Sequence, residues 1–454
     1  MHALSAFDLV AILIVVTAVL GFLNAKVLKL PHTIGLLVMG LAASLVLVGV
    51  EIAFPDIPLT RGITDLVRQI DFQDTVLKGM LGFLLFAGAL HVDVSALRSR
   101  AWAIGVMATV GVVISTAIVG VLSWQLAKLV GVSLPLPWAL AFGALISPTD
   151  PVAVLSTLKT VKVSKDLEMD MTGESLFNDG AGIVVFGLLV AFASGSVEGT
   201  GAWQAIEMFL TEAVGGAALG LVAGWLSYRA MKAIDNYPVE TLVTLALVMG
   251  TYALAQRLHA SGPIAMVVAG LLIGNKAPKD AMSDLTQVYV FGFWTLIDEI
   301  LNSLLFLLIG LEVLVLRIDP SFAWFAMLAV PITLLARYAS VGLPVLALRR
   351  RVAFTKGTVT ILTWGGLRGG ISVALALSLP EVAEKSLILA ATYTVVVFTI
   401  VAQGLSLRGA VLAFAPHGKG EAEDLNEGKH SPAKGVQTPE MASGIAGEPA
   451  VTTA

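Results

Sequence analysis

Runs of about twenty apolar residues recur along almost the whole of this sequence, and that recurrence limits what the chain can fold into. A run of that length suits a helix crossing roughly 30 Å of hydrocarbon. Thirteen such segments fall at roughly 8–28, 32–50, 76–95, 101–129, 138–158, 171–194, 203–230, 239–257, 262–275, 287–315, 321–348, 357–379 and 386–412. The ninth is short for a span. Composition agrees with membrane burial: 57% of the 454 residues are hydrophobic and 13% are charged, against about 25% charged in soluble chains. The 44 glycines suit close helix packing and locally broken helices. The expected fold is therefore all-α and polytopic.

The other compositional features exclude whole classes of function. A net charge of −4 without a basic stripe gives no nucleic-acid signal. With no cysteine there are no disulfides, thiolate metal sites or iron–sulfur clusters. Six scattered histidines have no metal-ligand spacing, and there is no nucleotide-binding loop. No cofactor and no enzymatic activity are expected. The start, MHALSAFD, lacks a basic n-region, so the first apolar run reads as a retained helix. After about Ala415 the sequence turns rich in Gly, Pro, Glu and Lys. Residues 416–454 are expected to be a disordered cytoplasmic tail.

Loop charges give the expected orientation. One set of loops, from Lys26 to Lys356, holds fifteen Lys or Arg, including Arg98, Arg100 and Lys165. The opposite set, from Arg61 to Lys385, holds seven. The positive-inside rule then puts the N-terminus outside and the C-terminus in the cytoplasm of a multi-pass protein of the plasma (cell inner) membrane.

Ionisable residues at membrane depth are costly and point to function. The fifth segment contains Ser147-Pro148-Thr149-Asp150-Pro151, with Thr149 eleven residues in from Trp138, about 16 Å deep. Two prolines free two backbone carbonyls, which can serve as cation ligands. Such an interruption is tolerated where it lines a cavity or is buried in protein. The bland reading is a proline kink. In the sixth segment Glu174 and Asn178 share one face, and Ser175 and Asp179 share the adjoining one. Asp179 lies eight residues in, about 12 Å deep. The second pair joins a carboxylate to a hydroxyl, hard oxygen ligands for small cations. Here the bland reading is a polar clamp between helices. Arg337 lies in the eleventh segment, and Arg368 lies in the twelfth among Gly365, Gly366, Gly369 and Gly370, which suggests an unwound stretch. For both arginines, neutralising buried charge outweighs touching cargo.

The fifth and twelfth segments are seven spans apart and so run in opposite directions. Matched breaks of this kind mark an inverted-repeat transporter with its site at the crossing. Asp298, Glu299 and Asn302 in the tenth segment read as residues pairing within the bundle, and His91 and Asp93 read as interfacial.

SPTDPVAV, GESLFNDG and GGLRGGISVAL, with LNSLLFLLIGLEV and VAQGLSL, resemble the NhaP-type monovalent cation:proton antiporters, the group that includes the animal NHE exchangers. The resemblance covers nearly the whole chain up to the tail. It implies a homodimer with thirteen helices per protomer in a transmembrane domain over 1–415. A mobile core would be formed by roughly 101–194 and 321–412, and a dimer scaffold by 8–95 and 239–315, with 203–230 linking the repeats. Asp179 would be the carboxylate that binds both ion and proton, with Ser175 and the Thr149 carbonyl completing the cation shell. Asp150 and Asn178 would organise the crossing, Glu174 would pair with Arg337, and Arg368 would offset helix dipoles. One departure is Ala87, which aligns where some relatives carry a water-bridging carboxylate.

The mechanism expected from these residues is competition at one carboxylate. Burial disfavours its uncompensated charge, so Na+ binds when the proton leaves. With Asn178 beside it, a single variable carboxylate favours one-for-one, electroneutral exchange of Na+ or Li+ for H+. The same scaffold could serve K+/H+ antiport. A cation channel would instead call for ring-like pore symmetry, and an organic-solute carrier for a larger, aromatic-lined cavity.

Overall fold

The computed structural model describes residues 5–53, 72–150, 154, 163–195, 202–314 and 319–414. The tail, Pro151 and the loop charges Arg61, Arg68, Lys159, Lys162 and Arg317 lie outside the described residues.

Every regular element among the described residues is helical. Helix α1 (Ala6–Leu23) is started by a reciprocal cap, in which Ser5 Oγ accepts from the Asp8 amide and Asp8 accepts from the Ser5 amide. It runs on through a π turn, Asn24–Leu28, and α2 (His32–Ala53) follows. A second π turn, Thr75–Met80, leads into α3 (Leu81–Leu90). Next come α4 (Val94–Ser99), α5 (Ala101–Val130), α6 (Leu136–Leu145) and α7 (Lys165–Ala193). The following helices are α8 (Ala202–Met231), α9 (Tyr237–Arg257), α10 (Gly262–Asp280) and α11 (Asp284–Glu312). The chain continues through α12 (Ala323–Leu348), α13 (Thr358–Trp364), α14 (Gly370–Leu377) and α15 (Lys385–Phe398). A third π turn, Thr399–Gln403, joins α15 to α16 (Gly404–Phe414).

Nine helical stretches among the described residues are long and apolar enough to cross a membrane by themselves. Of the other apolar segments, α3 and α6 are shorter, the α13–α14 pair is interrupted, and α10 is long enough but ends in a polar stretch. Two boundaries differ from those expected. The helix foreseen from 171 begins at Lys165, because Ser164 Oγ accepts from the Leu167 amide and Asp166 and Glu168 occupy the favourable first turn. Hydropathy does not register two polar turns at a helix start. The short ninth segment runs on through its polar end to Asp280, giving α10 a length of 19 residues, about 28 Å.

Small residues let helices approach closely. On α8, Gly216, Gly220 and Gly224 recur every fourth residue and meet Ser261, which caps α10, and Ala265 and Ala269 along it. A methyl group at Gly220 would run into the Ala265 carbonyl. Lipid and detergent tails are as apolar as leucine, so it is this close packing, more than apolar burial, that holds helices together in a membrane. α5 packs most extensively on α12 and α6, α7 lies against α5 and α6, and α10 packs on α8 and α3.

Candidate functional site

The two foreseen interruptions are present, and they meet. α6 ends at Leu145, and residues 147–150 leave it in a non-helical path. Residues 365–369 separate α13 from α14. The Asp150 amide donates to the Leu367 carbonyl at 2.8 Å, joining one break to the other. Arg368, 1% exposed, donates through Nη1 to the carbonyls of Ser147 and Pro148, the latter at 2.8 Å. Ser147 and Pro148 lie past the helical end of α6 at Leu145, so their carbonyls have no partner within that helix. A guanidinium at the C-terminal end of α6 also offsets the negative pole of that helix. The Arg368 amide in turn donates to Thr399 Oγ1 in the third π turn, at 3.1 Å.

Gly369 is required by the closeness of this crossing. A methyl group there would collide with the Asp150 carboxylate. That contact sets Asp150 beside the N-terminal end of α14, where negative charge is favoured.

α7 lays its polar face on the first break. Ser175 Oγ donates to the Thr149 carbonyl at 2.7 Å and lies 2.9 Å from Thr149 Oγ1. Asn178 Nδ2 donates to Thr149 Oγ1 at 2.9 Å. Ser175, Asn178 and Thr149 thus form one cluster. Asp179, on the same helix and 7% exposed, lines a cavity of about 560 Å³ together with Thr149 and Asp150. That cavity reaches Arg100 and Asp166, at the starts of α5 and α7.

Glu174 faces away from the cavity. Arg337 Nη2 donates to Glu174 Oε2 at 2.9 Å, Nη1 donates to Oε1, and Nε donates to the Leu362 carbonyl at 3.2 Å. Both side chains are buried. This pair and Arg368 brace the crossing from outside the cavity.

With α7 starting at Lys165, Asp179 stands fourteen residues into a 29-residue helix, about 21 Å from its start. It therefore stands at the midpoint of α7.

One buried ion pair was not anticipated. The sequence places Arg100 among the loop charges and Asp170 just outside the sixth apolar segment. Arg100 is in fact buried, and its Nε donates to Asp170 Oδ1 at 2.9 Å, with Nη2 donating to Oδ2. Its Nη1 donates to the Ala353 carbonyl at 2.7 Å. The pair ties the start of α5 to α7 and to the chain after α12. The Ser164 cap followed by acidic residues is the signal that could have placed Asp170 inside a helix.

The remaining polar residues also find places. Asn302 Nδ2 donates to Asp298 Oδ1 at 3.0 Å, and both line the cavity, whereas Glu299 is exposed. His91 Nδ1 lies 2.8 Å from the Ala87 carbonyl, and both residues line the cavity too. Asp93 caps α4 through the Ser95 amide at 2.7 Å. His91 is thus a residue of the cavity wall.

The chain is similar to known proteins. The family described as "Sodium/hydrogen exchanger, transmembrane" matches residues 12–413. A Na(+)/H(+) antiporter NhaP of Pseudomonas aeruginosa is 46% identical over 432 residues, covering 93% of this chain and all of the relative. A Na(+)/H(+) antiporter NhaH of Halobacillus dabanensis is 33% identical over 418 residues, covering 90% of this chain and 98% of that protein. Among solved structures, the sodium proton antiporter MjNhaP1 of Methanocaldococcus jannaschii superposes with a TM-score of 0.71 at 17% identity, covering 91% of this chain and 99% of that one. At that identity the likeness speaks for the fold.

Proposed function

The chain belongs to the sodium/hydrogen exchanger family and is a membrane-embedded Na+/H+ antiporter; from that premise we propose that Na+ and H+ are exchanged one for one by competing for Asp179. The observation that carries this reading is the oxygen set at the first break. The Thr149 carbonyl and Ser175 hydroxyl bond each other at 2.7 Å, four residues along α7 from a carboxylate on the cavity wall. A small cation entering there exchanges that mutual hydrogen bond for two oxygen contacts and gains the charge of Asp179. Oxygen ligands of this kind suit Na+ and Li+.

Burial makes an uncompensated Asp179 charge unfavourable. The carboxylate is therefore neutralised by a proton or by a cation, and either form can change sides. The bare carboxylate cannot, and this prevents an empty return. Asn178 is neutral and holds Thr149, so it adds no second charge to the stripe. Asp150 lies beside the α14 terminus, where negative charge is favoured, and the proposed cycle gives it no part in carrying an ion. One variable charge then moves one ion each way.

The cavity reaches the side bearing Arg100 and Asp166, and this supports a resting state open to the cytoplasm in a multi-pass protein of the cell membrane. The packing of α5, α6, α7, α12 and α15 on one another, and of α10 on α8 and α3, supports a core of roughly 101–194 and 321–412 that moves against a scaffold of 8–95 and 239–315. In the proposed assembly that scaffold joins two chains as a homodimer.

The test is purified protein in liposomes with an imposed pH gradient. Adding Na+ or Li+ dissipates the gradient on this reading, and K+ does so far less. A gradient that survives both smaller ions defeats it, and one that collapses with K+ alone reassigns the cargo.

A further inference from the structure

The cavity is lined by a further carboxylate, midway along a long helix, that the exchange cycle described above does not use. Asp298 lies fourteen residues into the 29-residue α11, about 21 Å from its start. Thr295, Asp298 and Asn302 are spaced three and four apart, hence on one face of the helix, and all three line the cavity. That face is built. Asn302, 2% exposed, fixes Asp298 from below with bonds to its backbone carbonyl at 2.8 Å and to Oδ1 at 3.0 Å. Thr295 Oγ1 lies 3.2 Å from His91 Nε2.

An independent observation points to a ligand in the same space. Ser372 lies in the first turn of α14, on the opposite side of the break from α13, and lines the same cavity. It is 1% exposed, and its hydroxyl has no hydrogen-bond partner among the described residues. A sealed hydroxyl without a partner is costly, and the residue that carries it borders the cavity. α14 also packs on α11, with Gly370 against Leu305, which brings the Ser372 turn toward the Asn302 turn.

We propose that the cavity holds a second alkali-cation position, anchored on Asp298 of α11 and completed by the Ser372 hydroxyl, where the ion waits before it reaches Asp179. Its function follows from where the two carboxylates stand. Asp179 belongs to α7 and Asp298 to α11, so the two sit on different walls. A carboxylate set in low-dielectric walls concentrates cations in the space before it. While Asp179 holds a proton it attracts no cation, and Asp298 keeps one close until that proton leaves. The position raises the rate of capture at low Na+ and leaves the exchange step to Asp179.

This inference rests on the antiport reading for the identity of its ion, and the experiment separates the two. Exchange rates of the full-length protein in liposomes are measured against Na+ concentration for the unmodified chain and for Asp298→Asn, Asp298→Glu and Ser372→Ala. Binding of radiolabelled Na+ is measured on Asp179→Asn and on the double variant Asp179→Asn/Asp298→Asn. The expected result is an apparent KM for Na+ raised about tenfold by Asp298→Asn, the size of one lost charge-assisted contact. The maximal rate should change less than about twofold, as for a group acting on binding. Asp298→Glu restores the KM, and Ser372→Ala raises it. Asp179→Asn retains weak saturable Na+ binding that the double variant lacks. An unchanged KM in Asp298→Asn, or no saturable binding in Asp179→Asn, overturns the proposal. Failure of the unmodified chain to exchange Na+ counts against the antiport reading, and the binding comparison still decides this one.

Discussion

The Asp150 amide donates to the Leu367 carbonyl at 2.8 Å, so the two broken helices are joined backbone to backbone at their interruptions. Around that bond the side chains divide into two kinds. Thr149, Ser175 and Asp179 offer oxygens at or beside the cavity. Arg368, Arg337 and Glu174 hold the breaks in place from behind. The division sets what each substitution should do.

Asp179→Ala should abolish exchange and leave the protein folded. Among the described residues no donor is hydrogen-bonded to this carboxylate, so its removal strands no partner. Loss of gradient dissipation in liposomes, with an unshifted melting curve, is the expected pair of results. Substantial residual exchange would remove Asp179 from the centre of the mechanism.

Ser175→Ala should weaken cation binding more than turnover. The hydroxyl that bonds the Thr149 carbonyl at 2.7 Å is lost, and the carbonyl keeps its place on the non-helical break. A rise of roughly tenfold in the KM for Na+ is the size expected for one contact to a charged ligand. An unaltered KM for both Na+ and Li+ would mean that Ser175 only shapes the break.

Breaking the Glu174–Arg337 pair should act on stability. Both groups are buried, and removing one partner leaves the other uncompensated at a cost of roughly 3–5 kcal/mol. Glu174→Gln and Arg337→Met should each lower the melting temperature markedly. The double variant should recover part of the loss, because no bare charge remains. Unshifted melting together with altered ion affinity would move the pair into the transport site.

The exchange should be indifferent to membrane potential. Each net charge moved across the membrane couples to the potential at roughly 2.3 kcal/mol per 100 mV, and a one-for-one cycle moves none. Initial rates are measured under a fixed pH gradient with the potential clamped at several values by K+ and valinomycin. Rates that climb or fall steadily with potential would show a second proton being carried, and Asp150 would be the first residue to examine.

Much of this was legible in the amino-acid order. Long apolar runs fix where helices cross the membrane, because hydrocarbon leaves the backbone no other partner. Pro148 and Pro151, and the glycines flanking Arg368, fix where two of those helices must open, because proline lacks a donor and glycine tolerates the close approach. Buried carboxylates and arginines announce that charge must be matched somewhere. What the order could not supply was with what. Hydropathy is an average along one helix and contains nothing about the rotation and height of one helix against another. Only packing sets Arg368 on the Ser147 and Pro148 carbonyls, draws Arg100 out of the loops onto Asp170, and turns Asp298 toward the space that Asp179 lines. Those pairings depend on contacts between residues dozens to hundreds of positions apart, and they exist only once the helices have closed around the crossing.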